Sequence, residues 1–170
     1  MRVGVLLAGG VWSERPPVRR MAQLDQMMQS LVPGFMHVKY YAYGCNCNML
    51  AGDRPLSQPG AGQPIDELDG TCKSYKSCQQ CVMDEHGDSC IGEFNDYSFD
   101  LLENGSQCLD TPGSCKRALC ECDAQFSQAF SAKIGLYNQD FNHVFGMFQY
   151  ETICRKYSIF ERAVNFLAEF

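Results

Sequence analysis

Long hydrophobic runs are missing from this chain. The longest, from Val3 to Trp12, covers about ten residues, well short of the roughly 18 that a bilayer-crossing helix needs. Positive charge is also scarce: 14 Lys and Arg stand against 20 Asp and Glu, a net charge of −6. That balance argues against nucleic acid as a partner and disfavours anionic membrane surfaces. Histidine is limited to His37, His86 and His143, each of which reads as a surface or hydrogen-bond-satisfied side chain rather than a catalytic one. No internal repeat or low-complexity stretch is present.

Cysteine is what the chain has in excess, with 11 among 170 residues. That enrichment points to an oxidising compartment, secreted or lumenal, and the odd count means that pairing leaves one sulfur over. A hydrophobic content of 45%, with 12% aromatics, excludes a disordered chain, and the length suits one domain. Residues 1–20 read as an N-terminal extension. Its apolar part, Val3 to Ala8 behind Arg2, resembles a short secretory signal or pro segment. The sequon Asn104-Gly105-Ser106 makes Asn104 a glycosylation candidate if the chain enters the secretory route.

After Pro16-Pro17, the residues Met21, Leu24, Met27, Met28 and Leu31 recur at helical spacing and predict a helix running to Pro33-Gly34. Residues 43–69 turn to Gly, Pro, Asn and Asp and read as a long loop. Asp66 or Asp69 would then cap a helix over about 70–82, with 83–89 turn-like. Asn104-Gly105, beside the alternating Tyr97, Phe99 and Leu101, predicts a two-stranded wing. Leu119, Cys122, Phe126, Ala129 and Phe130 predict a helix over about 114–134. Residues 155–170 carry Phe160, Ala163, Val164, Leu167 and Phe170 on one stripe, an amphipathic helix that serves either as core or as a docking surface for a partner.

The cysteines fall into Cys45-x-Cys47, then Cys72, Cys78, Cys81 and Cys90, then Cys108, Cys115, Cys120 and Cys122, and last Cys154. Zinc is the competing reading of such pairs. The groups lack the repeated paired spacing of a zinc ribbon, so disulfides are the better account and no metal is expected on them. If the helices bearing Cys78 and Cys122 are antiparallel neighbours clamped by a bridge, Tyr75 and Lys76 come alongside Asp123 and Phe126. A Tyr/Lys/Asp cluster would then lie on the seam, with the Gly-rich loop tethered beside it through Cys72.

Over residues 21–154 the chain resembles a secreted phospholipase A2. Met21-Ala22-Gln23-Leu24 through Met27-Met28 to Pro33-Gly34 is similar to that family's first helix, so Leu24, Met27 and Met28 would line its apolar channel. Tyr43-Gly44-Cys45-Asn46-Cys47 resembles the start of its calcium loop, and Pro64-Ile65-Asp66-Glu67-Leu68-Asp69 the approach to its active-site helix. Cys108 through Cys115 to Cys120-Glu121-Cys122-Asp123 resembles its second long helix, before a Tyr137-Asn138 turn. The resemblance implies a mainly α, disulfide-rich fold: two long antiparallel crosslinked helices, an N-terminal helix and a small β-wing. It also implies the bridges Cys45–Cys154, Cys47–Cys72, Cys78–Cys122, Cys90–Cys115 and Cys108–Cys120. A further family bridge would join positions held here by Thr71 and Ala129. Cys81 is left over as a free thiol, an intermolecular anchor or a competitor for Cys90.

The resemblance places Tyr75 where the family has its histidine base and Lys76 where it has its calcium-ligating aspartate. Asp123 takes the position that orients the base, and Tyr97 belongs to the same degenerate site. A phenol, with a reference pKa of about 10, makes a poor base, and an ammonium repels calcium. Asn46, Asn48 and Gly52 belong to an enlarged, altered calcium loop. The implied function is a non-catalytic phospholipase A2-like binding or scaffold protein, without bound calcium or other cofactor. Its expected contacts are protein partners through the C-terminal helix or enlarged loop, and lipid in the apolar channel. The alternatives are residual or altered phospholipid hydrolysis, and a lipid-binding, membrane-perturbing protein.

Overall fold

The computed structural model describes residues 19–48, 60, 62–92 and 94–154. Most of the N-terminal extension, Gly52 and residues 155–170 therefore lie outside the described residues. Helix α1 (Arg19–Leu31) buries Leu24, Met27 and Met28 to 1% exposure or less, as its spacing predicts. It stops at Pro33-Gly34, where Gly34 takes a φ of +79°. A single turn, α2 (His37–Tyr40), follows.

Helix α3 (Glu67–His86) is longer than its apolar pattern suggests. Asp66 caps its start by accepting from the Asp69 N–H at 2.8 Å, three residues earlier than the predicted boundary. At the other end, 83–86 form the last helical turn rather than a loop. Their polarity reflects a solvated face, on which Gln80 Nε2 donates to Asp84 Oδ1 at 2.9 Å, and Gly87 at φ +91° ends the helix. Strands β1 (Phe99–Leu102) and β2 (Gly105–Cys108) form the antiparallel wing, with Leu102 opposite Gly105 across the turn. Helix α4 (Cys115–Lys133) is capped by Ser114, whose Oγ accepts from the Arg117 N–H.

Helices α3 and α4 are antiparallel. Going up α3, the cross-helix pairs are Glu67 with Lys133 (3.2 Å), Tyr75 with Phe126 (ring centroids 4.5 Å apart) and Cys78 with Cys122. As the first number rises, the second falls. The core runs along this seam and continues through Phe130 and Tyr40 to Tyr137 and Tyr43 in an aromatic chain that is edge-to-face at Phe130–Tyr40 and Tyr40–Tyr137 and tilted at its two ends. Five bridges staple it: Cys45–Cys154, Cys47–Cys72, Cys78–Cys122, Cys90–Cys115 and Cys108–Cys120. Cys81 is an exposed free thiol. Among the described residues no helix is long and apolar enough to cross a membrane.

Candidate functional site

The loop that follows Tyr43 is held against α3 by one buried carboxylate. Asp69, at 0% exposure, accepts from the backbone N–H groups of Cys45 (2.9 Å), Asn46 (2.8 Å) and Ile65 (3.1 Å), and from the Asn46 side-chain amide (3.2 Å). Burial pushes its pKa up, against the pull of those donors. Gly44 makes the close approach feasible. Its φ is +58°, and a Cβ there would sit 2.4 Å from the Asp69 Cγ. Asp66 extends the lock: its second oxygen accepts from the Tyr43 hydroxyl at 2.5 Å, and burial together with this carboxylate raises the phenol's pKa. Sequence reading treated Asp66 and Asp69 only as alternative caps. Asp66 is the cap, and Asp69 is the anchor of the loop; the three-residue spacing was the available signal.

One bridge further along, Cys47–Cys72 ties this loop to α3 just before the seam cluster. There Asp123, at 0% exposure, accepts from Tyr75 Oη on one oxygen (2.6 Å) and from Tyr97 Oη on the other (2.5 Å). Tyr97 arrives from the segment before β1, whose backbone is held by Gln23 of α1: the Gln23 amide donates to the Tyr97 carbonyl at 2.6 Å. Three separate parts of the chain thus meet on one carboxylate. The Lys76 Nζ donates to Asn48 Oδ1 at 2.5 Å, and the side chain is buried to 4% exposure. Successive residues of a helix point about 100° apart, so beside Tyr75, which reaches Asp123, Lys76 also reaches the loop.

The chemistry of this arrangement is that of a closed polar knot. Two phenols donate to one carboxylate, and one ammonium donates to one amide oxygen, with the Phe126 ring packed at a tilt against Tyr75. Leu24, Met27 and Met28 are buried in the core beside it. Asn46 is buried with them, at 1% exposure. Gln79, one turn beyond Tyr75 on α3, is also buried, and among the described residues its side-chain Nε2 has no hydrogen-bond partner, a feature with no signature in the sequence.

The family model described as phospholipase A2 matches residues 21–142. The chain belongs to the phospholipase A2 family. The match begins within α1 and ends just beyond Phe141, so it takes in the loop, both long helices, the wing and every member of the Asp123 cluster. Within this phospholipase A2 family chain, Thr71 and Ala129 both line a cavity of about 400 Å³ on the α3–α4 seam, together with Glu67 and Lys133. Cys78–Cys122 is left as the crosslink within that seam among the described residues.

Proposed function

We propose that this phospholipase A2 family member is a non-catalytic binding or scaffold module that does not carry out calcium-dependent lipolysis. The observation that carries the reading is the Lys76 ammonium buried against Asn48 at 2.5 Å, at the position that the family resemblance assigns to a calcium-ligating carboxylate. Calcium needs several oxygen ligands and at least one negative charge. Here a fixed positive charge takes up a loop oxygen, so the residues present do not fit the ion. Tyr75, at the position assigned to the base, donates its proton to Asp123 and so offers no lone pair backed by a carboxylate to an attacking water.

Fatty-acid release from mixed phosphatidylcholine and phosphatidylglycerol vesicles, with and without millimolar calcium, tests this. Loss of a positioned base alone removes about 10²–10⁴-fold in rate, and the Lewis acid is lost as well. Turnover should sit at the vesicle background in both conditions. Calcium-stimulated release would overturn the reading in favour of hydrolysis, and vesicle leakage without release would favour a membrane-perturbing protein.

Five disulfides beside an exposed thiol support an oxidising lumenal or extracellular location. In that compartment Asn104, exposed at the tip of the wing, is available as an N-glycosylation acceptor. Protein secreted from a eukaryotic host should lose mass on treatment with a peptide N-glycosidase. The Asn104→Gln variant should not, and an unmodified Asn104 in the secreted wild type would refute the assignment. Protein partners are assigned to the enlarged loop and to the apolar stripe of 155–170.

A further inference from the structure

Between the wing and α4 lies an open groove of about 360 Å³ that none of the roles above uses. Its walls include Leu102, Ser106 and Gln107 from the wing and Ala124, Gln125 and Gln128 from α4. The exposed Asn104 stands at its edge, in contact with Gln128. We propose that this groove seats the first sugar of an N-glycan carried by Asn104, so that its N-acetylglucosamine lies back on α4 instead of standing in solvent. The inference rests on the reading of Asn104 as a glycosylated residue and adds to it a binding site for the sugar.

The attachment point is held from the helix side. Gln128 Nε2 donates to the Asn104 carbonyl at 3.2 Å, so the amide that would carry the sugar begins only a few bonds from a residue of the groove wall. Gly105, the middle residue of the sequon, permits this approach: its φ is +149°, and a Cβ there would overlap the Gln128 amide. The chemistry of the walls suits a neutral sugar. Gln107, Gln125 and Gln128 each offer both donors and an acceptor, which sugar hydroxyls and an N-acetyl group require. Arg117 and Glu121, also in the lining, neutralise one another at 2.6 Å, so no net charge selects an ionic guest. Ser106 Oγ is buried and has no hydrogen-bond partner among the described residues, a shortfall at this wall that a seated sugar would make good. Leu102, 51% exposed, and Ala124 offer apolar contact to the N-acetyl methyl group. A free sugar would gain little from so open a groove, whereas a covalent tether raises its effective concentration there to roughly the millimolar range or above.

The test compares the intact, oxidised protein from a host that adds high-mannose glycans, trimmed by endoglycosidase H to a single N-acetylglucosamine, with the unglycosylated Asn104→Gln variant. NMR should show contacts from the N-acetyl methyl group to Leu102 and Ala124. Amide exchange at 102–107 should be about fivefold slower with the sugar than without it, the worth of about one hydrogen bond. Gln125 is exposed, so Gln125→Ala should fold normally, and in that background the slowing should fall to about twofold or less. A sugar that acts only by its bulk would slow exchange equally in both backgrounds. The intact mass separates the two failures: wild-type protein without a glycan removes the acceptor reading and this inference with it. A glycosylated chain with no methyl contacts to Leu102 and Ala124, with unchanged exchange, or with slowing indifferent to Gln125→Ala would overturn the seat in the groove and leave Asn104 as an acceptor.

Discussion

Replacing Asp69 by alanine is expected to lower the unfolding free energy by about 3–5 kcal/mol, among the largest effects of any single substitution outside the bridges. Four donors converge on that carboxylate: the backbone N–H groups of Cys45, Asn46 and Ile65 and the Asn46 amide. Asp69 and Asn46 are both buried, so water cannot replace the lost acceptor without opening the loop. Each stranded donor costs about 1–3 kcal/mol, and because the donors share one acceptor their costs do not simply add. The Tyr43–Asp66 bond remains to hold the first turn. Denaturant unfolding of the oxidised variant gives the size of the loss, and hydrogen exchange at 44–47 should quicken with it. A loss under about 1 kcal/mol would mean that the loop is held by its bridges alone.

The same residue gives the fold a pH dependence of defined sign. Burial raises the pKa of Asp69 from 3.8, so the folded chain keeps this proton to a higher pH than the unfolded chain does. Its contribution is therefore fully present below the unfolded value and is lost as pH rises through the raised native one. Asp69→Asn, which does not titrate, should remove that part of the decline, and comparison of the two stability curves between pH 3 and pH 7, on the order of the carboxylate range, checks it.

Much of the frame was legible in the sequence because it is periodic. Leu24, Met27 and Met28 mark α1, and Leu119, Phe126 and Phe130 mark α4, through one spacing rule that burial then satisfies. The seam cluster followed from helix geometry once Cys78 and Cys122 were supposed to be bridged, and the five pairs implied by the resemblance are those the structure forms. The partner of Lys76 was not legible. Asn48 lies 28 residues away in a Gly- and Pro-rich stretch whose path no period encodes. The role of Asp69 escaped for a related reason: a carboxylate gathering loop N–H groups looks, in sequence, like an ordinary N-cap. The last turn of α3 was cut short because exposed polar residues there resemble a loop until Gly87 is recognised as the stop.

Removing the seam crosslink with Cys78→Ala/Cys122→Ala should cost about 4–6 kcal/mol, more than its chain-entropy share. With Cys90–Cys115 intact, the path from Cys78 through that bridge to Cys122 closes a loop of about 20 residues, for which the entropic cost of opening is about 3 kcal/mol. Cys108–Cys120 closes a 12-residue separation and is worth nearly as much by the same relation, about 3 kcal/mol. The two bridges differ in what they hold. Cys122 directly precedes Asp123, and Cys78 lies one turn beyond Tyr75, so the seam bridge fixes the spacing of a buried phenol–carboxylate bond at 2.6 Å. The cavity lined by Thr71 and Ala129 offers no second clamp beside it. Slackening that bond leaves a fully buried carboxylate short of a donor, a further cost of about 1–3 kcal/mol. Urea midpoints of the two double-alanine variants, measured side by side, separate the contributions. Equal shifts would show that the seam bridge acts as a chain constraint only; a larger shift for Cys78→Ala/Cys122→Ala, reduced when Tyr75→Phe is added to both backgrounds, would place the excess on the Tyr75–Asp123 bond.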